Sequence, residues 1–101
     1  MKNKLPNIHP GEVLREEFLT PMGISAYRLT KETGLPHSRV SDLLAGRRGV
    51  SADTALRLAR YFGTTPNFWL NLQTAYDIEE AERENGSDIR ERIRPLELLA
   101  S

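Results

Sequence analysis

Residues 25–46 read SAYRLTKETGLPHSRVSDLLAG, which fits two short helices joined by a tight turn. Ser25 is placed to cap a helix of about two turns over residues 26–33, its hydroxyl accepting an N–H that the helix start leaves unpaired. Arg28 stands where a capping box would carry its reciprocal Glu, so the cap is one-sided. Ala26, Leu29, Thr30 and Thr33 recur at helical spacing and make the inward face. Gly34 falls where the chain must reverse, a position that commonly needs positive φ, and Leu35 follows as a core plug.

A second helix opens near Pro36 and His37. Its apolar residues Val40, Leu43 and Leu44 lie three and four apart and bury one stripe, with Gly46 as the residue that closes it. His37, Ser38, Arg39, Ser41 and Asp42 are left to solvent, where a recognition helix presents side chains to base edges in a major groove. The order Thr30, Gly34, Val40, Leu43 follows the small, Gly, β-branched, Leu rhythm of bacterial helix-turn-helix repressors, with Thr30 in place of the usual Ala. On these residues alone an αα-hairpin with a wet polar face is the alternative, since a helix-Gly-helix pattern also recurs by accident.

The surrounding chain sets limits. At 101 residues it supports one domain with a single small core, and with no cysteine it has neither disulfides nor thiolate metal sites, which suits a reducing cytoplasm. The N-terminal MKNKLPNIHPG lacks the apolar segment of a signal peptide and no long apolar run follows, so neither membrane nor export is expected. Zero net charge would argue against nucleic acid, but the distribution is uneven: residues 1–64 balance at +4 and residues 65–101 at −4. Between Ala26 and Arg60 there are seven basic residues against three acidic ones, bracketing the second helix of the pair.

Residues 1–7 are expected as a flexible arm. HPGEVLREEFL (9–19) starts the first helix, with Pro10 in its first turn and Val13, Leu14 and Phe18 buried; Thr20, Pro21 and Gly23 are expected to end it. In GRRGVS (46–51), Arg47 and Arg48 are placed to touch DNA phosphates or else are solvated loop charges. Ser51 caps a fourth helix with Ala55, Leu58, Ala59 and Phe62 inward, Arg57 and Arg60 outward, and Gly63 at its end.

Thr65 and Pro66 start a fifth helix whose apolar residues Phe68, Trp69, Leu72, Ala75, Tyr76 and Ile78 exceed one face. Trp69 and Tyr76 are therefore read either as core or as a dimer or partner surface. Beyond Tyr76, Asp77, Glu79, Glu80, Glu82 and Glu84 against Arg83 make a solvated helix end or a face for a basic partner. Asn85, Gly86 and Ser87 are expected to break the helix. That leaves residues 85–101 as a short tail in which Ile89, Ile93, Leu96, Leu98 and Leu99 are too apolar to stay free, so it is a dimerisation or partner segment, either a strand or a last helical turn.

The resulting fold class is all-α: a five-helix bundle containing a helix-turn-helix over residues 8–84. The two histidines, His9 and His37, sit at the ends of different helices, and no carboxylate pair, Ser/His/Asp set or phosphate-binding Gly loop is recognisable. His9 reads as a helix cap. No enzyme activity, cofactor, metal or small-molecule substrate is expected.

HPGEVL (9–14), GLPHSRVSDLLAG (34–46), the Ser51 to Gly63 helix and above all TTPNFWLNLQTAYD (64–77) resemble antitoxins of the HigA type, also catalogued with virulence-associated protein I, within the XRE-like helix-turn-helix class. The resemblance runs from about residue 8 to residue 80. It implies a lambda-repressor-like DNA-binding domain and a homodimer on a palindromic operator in double-stranded DNA upstream of its own operon, which it represses. It also implies neutralisation of a HigB-type toxin, a small basic ribonuclease that cleaves messenger RNA. By the same resemblance Pro36, Arg39 and Asp42 lie at the DNA, with Arg39 suited to a bidentate contact to guanine. Pro36 has no side-chain donor, and Asp42 accepts from a cytosine amino group, holds Arg39 in position, or caps nothing at all. A stand-alone transcriptional regulator without a toxin, or an interaction domain that has lost DNA binding, would share this fold.

Overall fold

Local signals dictate most helix boundaries in the computed structural model, which describes residues 5–97. Among these, five helices and no strand occur: α1 (residues 10–22), α2 (Ala26–Thr33), α3 (His37–Leu44), α4 (Ala52–Phe62) and α5 (Pro66–Arg92). Ser25, Ser51 and Thr65 each accept the N–H three residues on, from Arg28, Thr54 and Phe68, capping α2, α4 and α5. His9 Nδ1 accepts the Gly11 N–H at 2.9 Å at the start of α1.

Of the three residues expected to end α1, Gly23 does so, while the helix runs on through Thr20 and Pro21. Its middle, Leu14–Leu19, is π-helical, with the Thr20 N–H reaching back to the Arg15 carbonyl. A proline inside a helix lacks an N–H and crowds the carbonyl four residues back. The wider turns ahead of Pro21 relieve that crowding, and the helix passes the proline before stopping at Gly23, φ +66°.

The core gathers one stripe from each helix. Leu14, Leu29, Leu35, Val40, Leu43 and Leu58 are at most 2% exposed, and Trp69 is fully buried. Trp69 is therefore core and not a dimer or partner surface: Phe18, Phe62 and Phe68 surround the indole with ring centroids 5.0–6.2 Å away. Its N–H donates to Thr64 Oγ1 at 2.8 Å, which removes the cost of burying a donor. Tyr76 is half-buried, edge-on to the His9 ring at 4.8 Å.

The expected break at residues 85–87 is absent, since α5 is continuous to Arg92. Ion pairs along its surface favour the helix there, Glu79–Arg83 at 2.6 Å and Asp88–Arg92 at 2.8 Å. Glu82 reaches Arg90 at 2.5 Å with its carboxylate laid over Gly86, which is buried by that side chain. The tail therefore begins at Ile93, whose extended backbone ends the helix, and not at Asn85.

Because α5 overshoots the bundle, the radius of gyration is 17.6 Å, against about 13 Å for a compact chain of this length. Ile89, Ile93 and Leu96 on the overshoot are 47%, 64% and 80% exposed. Leu98 and Leu99 lie outside the described residues, as do residues 1–4 of the expected flexible arm. Residues 5–7 lie along α5: Asn7 Nδ2 donates to the Tyr76 carbonyl at 2.9 Å and to Glu80 at 3.0 Å, and Arg83 donates to the Leu5 carbonyl.

Candidate nucleic-acid interface

The α2–turn–α3 unit is fixed by short-range bonds. Gly34, φ +77°, gives its N–H to the Thr30 carbonyl at 3.0 Å, and the Leu35 N–H bonds Thr33 Oγ1 at 3.3 Å. α3 starts after Pro36 and is closed by Gly46, φ +78°: the Gly46 N–H returns to the Leu43 carbonyl and the Arg47 N–H to the Asp42 carbonyl. Val40 and Leu43 are 1% exposed, so the back of α3 is sealed.

At about 100° per residue the outward side of α3 centres on His37, Ser38 and Ser41, all exposed, with Asp42 at one margin. Arg39 lies on the flank instead, its side chain 32% exposed, drawn toward α4 by an ion pair with Asp53 at 3.7 Å. Asp42 does not hold Arg39. Its Oδ1 accepts from Arg47 Nε at 3.1 Å and Nη2 at 3.0 Å, which fastens the loop arginine to the end of α3. Pro36 and Arg48 are exposed on either side of the helix.

Main-chain contacts from other helices set the position of α3. Arg15 of α1 donates to the Leu44 carbonyl, where α3 leaves carbonyls unpaired. Gly11 lies so close to the Leu43 carbonyl that a Cβ there would overlap it. On the other side, Gln73 of α5 accepts the Val50 N–H at 2.7 Å and pins the loop that follows α3. Arg57 of α4 donates to Asp53 and to the Thr33 carbonyl, both at 2.9 Å. Glu32 joins α2 to α4 through the Tyr61 hydroxyl, a bond that lowers the Glu32 carboxyl below its usual range and raises the phenol.

Sequence reading did not identify Gly11, Arg15, Asp53 or Gln73 as parts of this assembly. The i, i+4 spacing of Asp53 and Arg57 is the one sequence signal that bears on them, and by itself it implies only an ion pair within a helix.

Burial depresses the His9 pKa below 6.5, and the Asp77 carboxylate only partly opposes this. The neutral ring is needed because Nδ1 accepts the Gly11 N–H. The folded state then binds fewer protons than the unfolded one just below that value, so this contribution to stability is complete above pH 6.5 and is lost as pH falls through the folded value. His9→Asn keeps an N-cap oxygen without a titrating ring. It should flatten the dependence of the urea midpoint on pH between about 7 and 5, and an unchanged slope would assign that dependence elsewhere.

Among the described residues no helix is long and apolar enough to cross a membrane, and no three His, Asp or Glu side chains gather as a metal-holding group. What the surface offers is a helix with an uncovered polar face, flanked by Arg39, Arg47 and Arg48. Such an arrangement can hydrogen-bond base edges and neutralise phosphates.

Comparison with known proteins agrees with this geometry. A helix-turn-helix family model matches residues 14–69. Virulence-associated protein I of Dichelobacter nodosus is 54% identical over 86 residues, spanning 85% of this chain and 80% of that protein. Antitoxin HigA-1 of Vibrio cholerae is 38% identical over 96 residues, spanning 94% and 89%. The solved structure of the Pseudomonas aeruginosa antitoxin HigA with the higBA promoter superposes with a TM-score of 0.87 at 44% identity, covering 90% of this chain and 99% of that one. An uncovered polar face, a sealed back and these relatives together show that the chain belongs to the XRE-like helix-turn-helix family, in the branch of virulence-associated protein I and the HigA antitoxins.

Proposed function

We propose that the protein is a cytoplasmic antitoxin that binds the operator of its own operon as a homodimer, represses that operon and neutralises a HigB-type ribonuclease toxin. The observation that carries the DNA-binding part is the contrast on α3: Val40 and Leu43 are sealed while His37, Ser38 and Ser41 are exposed. In this reading Pro36, His37, Ser38, Arg39, Ser41 and Asp42 face the groove, and Arg47 and Arg48 meet the backbone. Two copies place their α3 helices one duplex turn apart, roughly 34–36 Å, on a palindrome. The exposed Ile89, Ile93 and Leu96 beyond the bundle, with Tyr76 nearer its edge, supply the surface for the second copy or for the toxin.

Footprinting on the DNA upstream of its own reading frame tests the first half. A protected palindrome is expected, with an affinity that falls linearly on a logarithmic salt scale. Arg39→Ala should weaken that binding by about 1–3 kcal/mol and relax one base position; an unchanged footprint and affinity would remove Arg39 from base reading. Co-expression with the product of the adjacent gene tests the second half. A co-purifying basic ribonuclease silenced by the complex is expected, and a chain that represses its promoter with no such partner would be a stand-alone regulator.

A further inference from the structure

We propose that Asp53 is a positioning residue for base reading: from the first turn of α4 it holds the Arg39 guanidinium on the flank of α3 and so decides how well Arg39 separates guanine from phosphate. The inference rests on the DNA-binding reading above and adds a residue that lies outside the helix-turn-helix unit.

Three observations carry it. Arg39 Nη1 is 3.7 Å from Asp53 Oδ2, and the Arg39 side chain is only 32% exposed, against 64% for Arg47 in the following loop. The same Asp53 oxygen accepts Arg57 Nε at 2.9 Å, and Arg57 is fastened by its Nη1 to the Thr33 carbonyl at 2.9 Å. The carboxylate thus cannot turn away from Arg39 without giving up an anchor that reaches α2.

The chemistry follows from the donors of arginine. Its planar fork offers five N–H groups, so an edge turned to Asp53 leaves others for the O6 and N7 acceptors of guanine. Those acceptors are neutral, and a nearby carboxylate costs them little. A phosphate is an anion, and Asp53 repels it from the same guanidinium. Holding the fork in advance also removes part of the rotamer entropy that reading a base would otherwise cost. Asp53 therefore weakens indiscriminate binding and favours the cognate site.

The test compares two duplexes of equal length and composition, one from directly upstream of the protein's own reading frame and one scrambled, over a series of salt concentrations. The ratio of their affinities should fall roughly three- to tenfold in Asp53→Asn, mainly because the scrambled duplex binds more tightly. In the Arg39→Ala background the same substitution should leave the ratio unaltered, since any general charge effect acts on both duplexes alike. Asp53→Glu keeps the charge and should retain more of the ratio than Asp53→Asn. Asp53 is exposed, and melting curves confirm that each variant is folded before binding is compared. An unchanged ratio in Asp53→Asn, the same fall without Arg39, or equal losses in the Asn and Glu variants would overturn the role of Asp53 while leaving DNA binding intact. A wild-type protein that does not distinguish the two duplexes would overturn the DNA-binding reading itself, and the role of Asp53 with it.

Discussion

Trp69→Ala should lower the free energy of unfolding by about 3–5 kcal/mol, the range for emptying a large aromatic site that cannot collapse. The indole is fully buried and three other rings lean on it from α1, α4 and α5, so no single side chain can move in to fill the space. Thr64 Oγ1 would lose its donor as well. Because Trp69 is the sole tryptophan, the unfolding midpoint is best followed by circular dichroism in urea. A midpoint within error of wild type, with loss of the proposed dimer in sedimentation, would move the indole from the core to a subunit surface.

Gly11→Ala should cost about 3 kcal/mol, toward the upper end of overpacking effects, although it adds a single methyl group. A Cβ at this position overlaps the Leu43 carbonyl and crowds the His9 ring. The obstruction is main chain in a packed helix, which relieves strain only by separating α1 from α3. The folded fraction should then bind upstream DNA more weakly, whereas the Trp69 variant should bind normally wherever it is folded. Paired urea melts and binding isotherms check both outcomes, and full stability in Gly11→Ala would mean that α1 sits further from α3.

What could be read from the chain was what nearest neighbours decide. Ser25, Ser51 and Thr65 cap their helices, and Gly34, Gly46 and Gly63 take positive φ, because each depends on bonds to residues only a few positions away. The buried stripe of Val40 and Leu43 followed from period alone. Trp69 could not be assigned, because its burial depends on Phe18 and Phe62, which other helices bring to it.

Two breakers were overestimated. Pro21 is accommodated by π-helical turns, and Gly86 by ion pairs around it that offset roughly 1 kcal/mol of helix propensity. The alternative in which Asp42 holds Arg39 fails for a related reason. Asp42 meets Arg47 because closing α3 at Gly46 turns the chain back on itself, and Arg39 meets Asp53 because the first turn of α4 comes within reach of its side chain.

The clamps on α3 are largely backbone atoms: the carbonyls of Leu43 and Leu44 and the N–H of Val50. None of them depends on which side chains stand at positions 37, 38 and 41. With bases read from those positions as proposed above, a lineage can exchange those letters and address a different promoter while inheriting the same scaffold at the same depth, and a duplicated copy can drift to a new target without first having to survive a weakened core.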